Sequence, residues 1–84
     1  MAVTIRLFAM LREAVGKDAL EITVDEAVTV SRLFEQLTST HPELSRFKPM
    51  ITFAVNGEYA TEQDMVNDGD EVALIPPISG GTHD

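Results

Sequence analysis

Apolar and polar residues alternate from Val3 to Phe8, with Val3, Ile5 and Leu7 on one side and Thr4, Arg6 and Phe8 on the other. A period of two with one apolar face predicts a half-buried strand. Ala9 to Val15 is short and mixed, and Gly16-Lys17-Asp18 follows it, which predicts a helical turn and then a reversal. Leu20, Ile22 and Val24 resume the alternation as a second strand, expected to form a hairpin with the first through a long connection. The period then changes. Val30, Leu33, Phe34 and Leu37 fall at i, i+3, i+4 and i+7, one face of a helix, with Ser31, Arg32, Glu35 and Gln36 on the other. Thr29 is a suitable N-cap, because its hydroxyl can accept a hydrogen bond from a first-turn amide. The helix is expected to stop before Pro42, since the residue before a proline is steered out of the α region.

Pro42 to Pro49 reads as a loop with one turn around Leu44 to Phe47. Ile51, Phe53 and Val55 alternate with Thr52 and Ala54 as a third strand. Asn56-Gly57 is a tight hairpin signal, because both positions tolerate positive φ. Glu58 to Ala60 is then a short return strand, and Asp68-Gly69-Asp70 marks a further turn. Glu71 to Ile75 is the final strand, with Val72 and Leu74 inward and Ala73 and Ile75 outward. Pro76-Pro77 ends it, since neither residue can donate to a ladder. One helix must cover one apolar sheet face. The layout predicts an α+β domain of the β-grasp, ubiquitin-like kind, a mixed sheet of about five strands with one main helix. A ferredoxin-like split βαβ fits less well, because there is only one long helix. Residues 1–77 form the expected domain, and 78–84 a flexible C-terminal tail.

Composition narrows the class of function. The chain has 84 residues, of which 44% are apolar and 24% charged, an ordinary balance for one small domain. Such a domain buries only about 60–65% of its unfolded surface and has little room for an enclosed active site. A carrier, a subunit or a binding module is expected rather than an enzyme catalytic on its own. No apolar run approaches the roughly 20 residues that span a bilayer, so no membrane partner is expected. There is no secretory pattern at the start, and cytoplasmic residence is the expectation. Zero cysteines remove disulfides and thiolate metal sites. The net charge of −8, with only 6 scattered Lys and Arg, argues against nucleic acid and suits a basic protein partner, or simply solubility. His41 and His83 are isolated, and Asp68, Asp70 and Glu71 lack the spacing of a calcium loop, so no metal is expected.

The end of the chain is the most informative segment. A strand leads into Pro76-Pro77 and then Ile78-Ser79-Gly80-Gly81. The prolines fix φ and stiffen the exit. The glycines let backbone approach another surface closely. Extended, the arm from Pro76 to Gly81 reaches roughly 20 Å, enough to enter a partner's channel. Taken alone, a Gly-Gly near a terminus more often marks only a frayed end. Phe8, Tyr59 and Ile75 are apolar residues assigned to the outward side of the sheet or its short return strand. Clustered there they would mark a partner site, and scattered they would be ordinary surface residues.

Two segments carry a family resemblance. One is Ile5-Arg6-Leu7-Phe8-Ala9-Met10-Leu11-Arg12-Glu13-Ala14-Val15-Gly16; the other runs from Val55-Asn56-Gly57 through Asp68-Gly69-Asp70-Glu71-Val72 to Pro76-Pro77-Ile78-Ser79-Gly80-Gly81. Together they resemble the MoaD-type small subunits of molybdopterin synthase, ubiquitin-like sulfur carriers. The resemblance implies that an ATP-using, ubiquitin-activating-type adenylating enzyme activates the Gly81 carboxylate. A sulfur donor then converts it to a thiocarboxylate, and the tail delivers sulfur inside the large subunit of the synthase. It implies no stably bound cofactor. Gly80 and Ser79 would serve insertion of the tail, and Phe8, Tyr59 and Ile75 would contact the large subunit. Thr82-His83-Asp84 depart from the family pattern, which ends at the second glycine. With them present Gly81 is an amide. A processing protease, a differently used or inactive paralogue, and a gene-model artefact each account for them. Two alternatives stay open: a sulfur carrier for thiamine, cysteine or tRNA thiolation, and a ubiquitin-like binding module that carries no sulfur.

Overall fold

The computed structural model describes residues 1–77. Strand β1 (Ala2–Leu7) pairs antiparallel with β2 (Ala19–Thr23), with Val3 opposite Ile22 and Ile5 opposite Leu20. Helix α1 (Ala9–Val15) makes the long connection and ends on Gly16 at φ 87°, a left-handed cap whose amide donates to the Arg12 carbonyl at 2.7 Å. The expected strand through Phe8 stops one residue earlier. Phe8 is extended but serves as the N-cap of α1, and Ala9 turns the chain at φ 50°.

After the two-residue strand β3 (Val28–Thr29), helix α2 (Val30–Thr40) begins where Thr29 predicts, and the Thr29 hydroxyl accepts from the Arg32 amide at 3.1 Å. Two further first-turn amides find distant partners: Val30 donates to the Asp64 carbonyl at 2.9 Å and Ser31 to that of Glu62 at 3.0 Å. Helix starts leave such amides unpaired unless something reaches them. Here the segment before strand β6 (Met65–Val66) does so, and β6 pairs antiparallel with β3. Two-residue strands carry no readable period, which is why this small ladder escapes sequence analysis.

Pro42–Met50 is a run of 3-10 helix rather than a loop with a single turn. Proline is tolerated at the first helical position, and the Ser45 hydroxyl bonds the Pro42 carbonyl at 2.9 Å. Leu44 is completely buried and draws the segment onto α1 and α2. Strand β4 (Thr52–Val55) turns through Asn56 (φ 51°) and Gly57 (φ 84°) into β5 (Glu58–Ala60), as the Asn-Gly signal predicts. Strand β7 (Glu71–Ile75) enters the sheet centre, parallel to β1 and antiparallel to β4. The sheet order is β2-β1-β7-β4-β5.

This is the α+β, β-grasp layout expected. The α2 face of Val30, Leu33, Phe34 and Leu37 packs with Val3, Ile5, Leu7, Phe53, Val72 and Leu74 in one core. Phe34 meets Phe53 edge-on at 5.7 Å between ring centres. Met10 packs against this core, whereas Met50 and Met65 lie at its exposed rim.

Candidate docking face

Strand β7 runs through the middle of the candidate site. Its alternation sends Val72 and Leu74 into the core and leaves Ala73 and Ile75 on the outer face of the sheet. Pro76, the next residue, is buried, and Pro77 is exposed. The central strand therefore ends on an anchored proline, just before the last described residue. Ser79, Gly80 and Gly81 lie outside the described residues.

Register decides what surrounds Ile75. Ala54 of β4 lies opposite Ala73 of β7 and also opposite Tyr59 of β5, and Thr52 lies opposite Ile75. Phe8 continues the outward row of β1 that Thr4 and Arg6 begin. Phe8, Tyr59 and Ile75 thus come together, around a floor of Ala54, Ala73 and Gly57, in one shallow depression of about 440 Å³. Tyr59 is 82% exposed and Phe8 42%, so these rings stand as uncovered walls. The alanines of the floor were not candidates in the sequence. Their outward direction was readable from alternation, but their adjacency depends on the pairing of β4 with β7.

The other half of the outer face is polar. Arg6 Nη1 lies 3.4 Å from a Glu71 carboxylate oxygen, with both side chains about half exposed. Such a pair contributes little to stability.

The start of β7 is fixed by a network around Asn56, read in the sequence only as a turn residue. Its amide donates to the Glu71 carbonyl at 2.8 Å, its side-chain oxygen accepts from the Glu71 amide at 2.9 Å, and its side-chain nitrogen donates to Asp70 at 2.9 Å. Asp70 also accepts from the Asn67 amide at 2.7 Å. The Asn67 amide, and secondarily the Asn56 side chain, hold the Asp70 carboxyl below its ordinary value of 3.8, against a small opposing effect of burial. Asp68 accepts from the Ala2 amide at 2.7 Å. The Asp68-Gly69-Asp70 turn thus ties β1, the β4–β5 hairpin and β7 together.

Elsewhere, His41 Nδ1 sits 3.3 Å from Glu43, away from the depression. Among the described residues no group of three or more His, Asp or Glu is arranged to hold a metal ion. Nor is any helix among them long and apolar enough to cross a membrane.

The ThiS family model matches residues 5–81, nearly the whole chain. The chain belongs to the ThiS family. In this ThiS-family chain the matched range takes in Phe8, Tyr59, Ile75, Gly80 and Gly81, and it ends on Gly81, leaving Thr82-His83-Asp84 beyond it. The molybdopterin synthase sulfur carrier subunit of Chlamydomonas reinhardtii is 36% identical over 96% of this chain and 100% of its own length. That of Dictyostelium discoideum is 38% identical over 92% and 93%. Among solved structures, small archaeal modifier protein 1 of Haloferax volcanii superposes with a TM-score of 0.87 at 35% identity, over 96% of this chain and 100% of that one.

Proposed function

We propose that this protein is the sulfur-carrier subunit of a molybdopterin synthase. One observation carries the reading: the family match ends on Gly81, a few residues past a proline-anchored strand end whose flank is an uncovered apolar depression. Relatives named as molybdopterin synthase sulfur carrier subunits, similar over nearly their whole length, support it. In this reading removal of Thr82-His83-Asp84 frees the Gly81 carboxylate. An adenylating enzyme of the ubiquitin-activating type joins that carboxylate to AMP from ATP, releasing pyrophosphate. A sulfur donor displaces AMP and leaves the thiocarboxylate. Phe8, Tyr59 and Ile75 then dock on the large subunit, and Ser79 and Gly80 pass its entrance. Burial of large apolar and aromatic side chains gives the docking energy, while Gly80 and Gly81 add no side chain to obstruct the channel.

The test is intact mass spectrometry of a chain ending at Gly81 after incubation with its adenylating enzyme, ATP and a sulfur donor. A mass gain equal to one oxygen-to-sulfur exchange is expected, and little or none for Gly81→Ala. An unchanged mass for the chain ending at Gly81, or equal loading of Gly81→Ala, would overturn the reading. The likeness to a small archaeal modifier protein favours a second reading, a modifier or a carrier serving another pathway. Complementation of strains lacking each kind of carrier separates the two.

A further inference from the structure

Strand β2 forms the edge of the sheet farthest from the apolar depression. Its hydrogen-bonding phase follows from its two ends. Leu7 donates to the Asp18 carbonyl at 2.9 Å, and Met1 and Val24 exchange bonds at 2.7 and 2.9 Å. Even-numbered residues of β2 therefore turn their backbone groups toward β1, and Ala19, Glu21 and Thr23 turn theirs outward. The Thr23 carbonyl is taken by the Gln36 side chain at 2.9 Å. Among the described residues nothing else pairs with this edge.

A groove of about 200 Å³ runs between this edge and α2, lined by Leu20 to Thr23 of β2 and by Gln36, Leu37, Thr40 and His41. The inner side chains of an added strand would enter it, and the outer ones would lie beside Glu21. The surrounding charge is acidic: Asp18 at one end beside Lys17, Glu21 in the middle, and Asp25 and Glu26 at the other, where Glu35 is already paired with Arg32 at 4.0 Å. A second copy of this chain suits the edge poorly, since antiparallel pairing about Glu21 sets two carboxylates face to face.

We infer that the β2 edge binds an extended, basic segment of a partner protein by strand addition, with apolar residues in the β2–α2 groove and a Lys or Arg between them against Glu21. Backbone bonds to Ala19 and Glu21 give affinity, and alternate side chains give selectivity. This surface lies across the sheet from the depression and is independent of the carrier reading.

The test is an NMR titration of the isotopically labelled full chain with a short synthetic peptide of alternating valine and lysine, beside a control alternating valine and glutamate. The lysine peptide should shift the amides of Ala19, Glu21 and Thr23 and slow hydrogen exchange at Ala19 and Glu21. Glu21→Lys, at an exposed position, should weaken the lysine peptide about two- to fivefold and favour the glutamate peptide. Equal binding of both peptides to the wild-type chain would overturn the inference. So would shifts confined to Phe8, Tyr59 and Ile75, an absence of slowed exchange at Ala19 and Glu21, or slowing that grows with protein concentration without peptide, which would mean that a second copy covers the edge.

Discussion

The two faces of the central sheet come from the same strands but use different kinds of apolar residue. On the inner face Ile5, Leu7, Phe53, Val72 and Leu74 are each at most 5% exposed and interlock with α2. On the outer face the floor is alanine, Ala54 and Ala73, and the large residues Phe8, Tyr59 and Ile75 stand around it. Branched side chains fill space between layers, as a close-packed interior requires. Alanines flanked by Phe8, Tyr59 and Ile75 leave a depression, which no helix among the described residues fills. The inner face closes the core of the domain, and the proposed function assigns the outer face to docking.

Four measurements test this contrast, from the largest expected effect to the smallest. Leu33→Ala on α2 should lower stability by about 2–5 kcal/mol in urea unfolding, the usual result of truncating a packed core residue. Equal tolerance of Leu33→Ala and a Tyr59→Ala substitution would erase the distinction between the faces. Ile75→Asp should leave the unfolding midpoint close to wild type while weakening large-subunit binding by at least about tenfold, measured by calorimetry, since buried apolar anchors dominate interfaces. Unchanged binding would remove the outer face from the docking surface. Thr29→Ala should cost about 1 kcal/mol through loss of the cap to the Arg32 amide, seen as a lower thermal midpoint. The contributions of Asp64 and Glu62 carbonyls to the same helix start would remain.

The smallest effect concerns Asp70. Its carboxyl titrates below the ordinary 3.8 in the folded chain. The stability it adds is therefore fully present above the unfolded value and is lost as pH falls through the lower folded value. Asp70→Asn should be less stable than wild type near neutrality, and the gap should narrow below about pH 4. A constant gap across an acid titration would mean that the Asn67 and Asn56 hydrogen bonds do not favour the charged form.

Much of this was legible in local pattern, because period two and period 3.6 report which side of an element meets the core. Val3, Ile5, Leu7, Val72 and Leu74 are buried as their alternation demands, and α2 starts at Thr29 and carries its apolar stripe inward. Asn56-Gly57 is a turn because few other dipeptides adopt two positive φ values cheaply. Direction alone left Phe8, Tyr59 and Ile75 either clustered or scattered, and the depression they line shows them together. What local pattern does not hold is register and long-range pairing. Ala54 opposite Ala73, the β3–β6 ladder, the carbonyls of Asp64 and Glu62 capping α2, and the Asn56 side chain holding Asp70 and Glu71 all join residues far apart in the chain. The free phase of β2 belongs with them, since it depends on which of its residues face β1. Side-chain alternation states the face of each residue, but neighbours across a sheet are chosen only when the whole core closes and one register buries every large side chain at once.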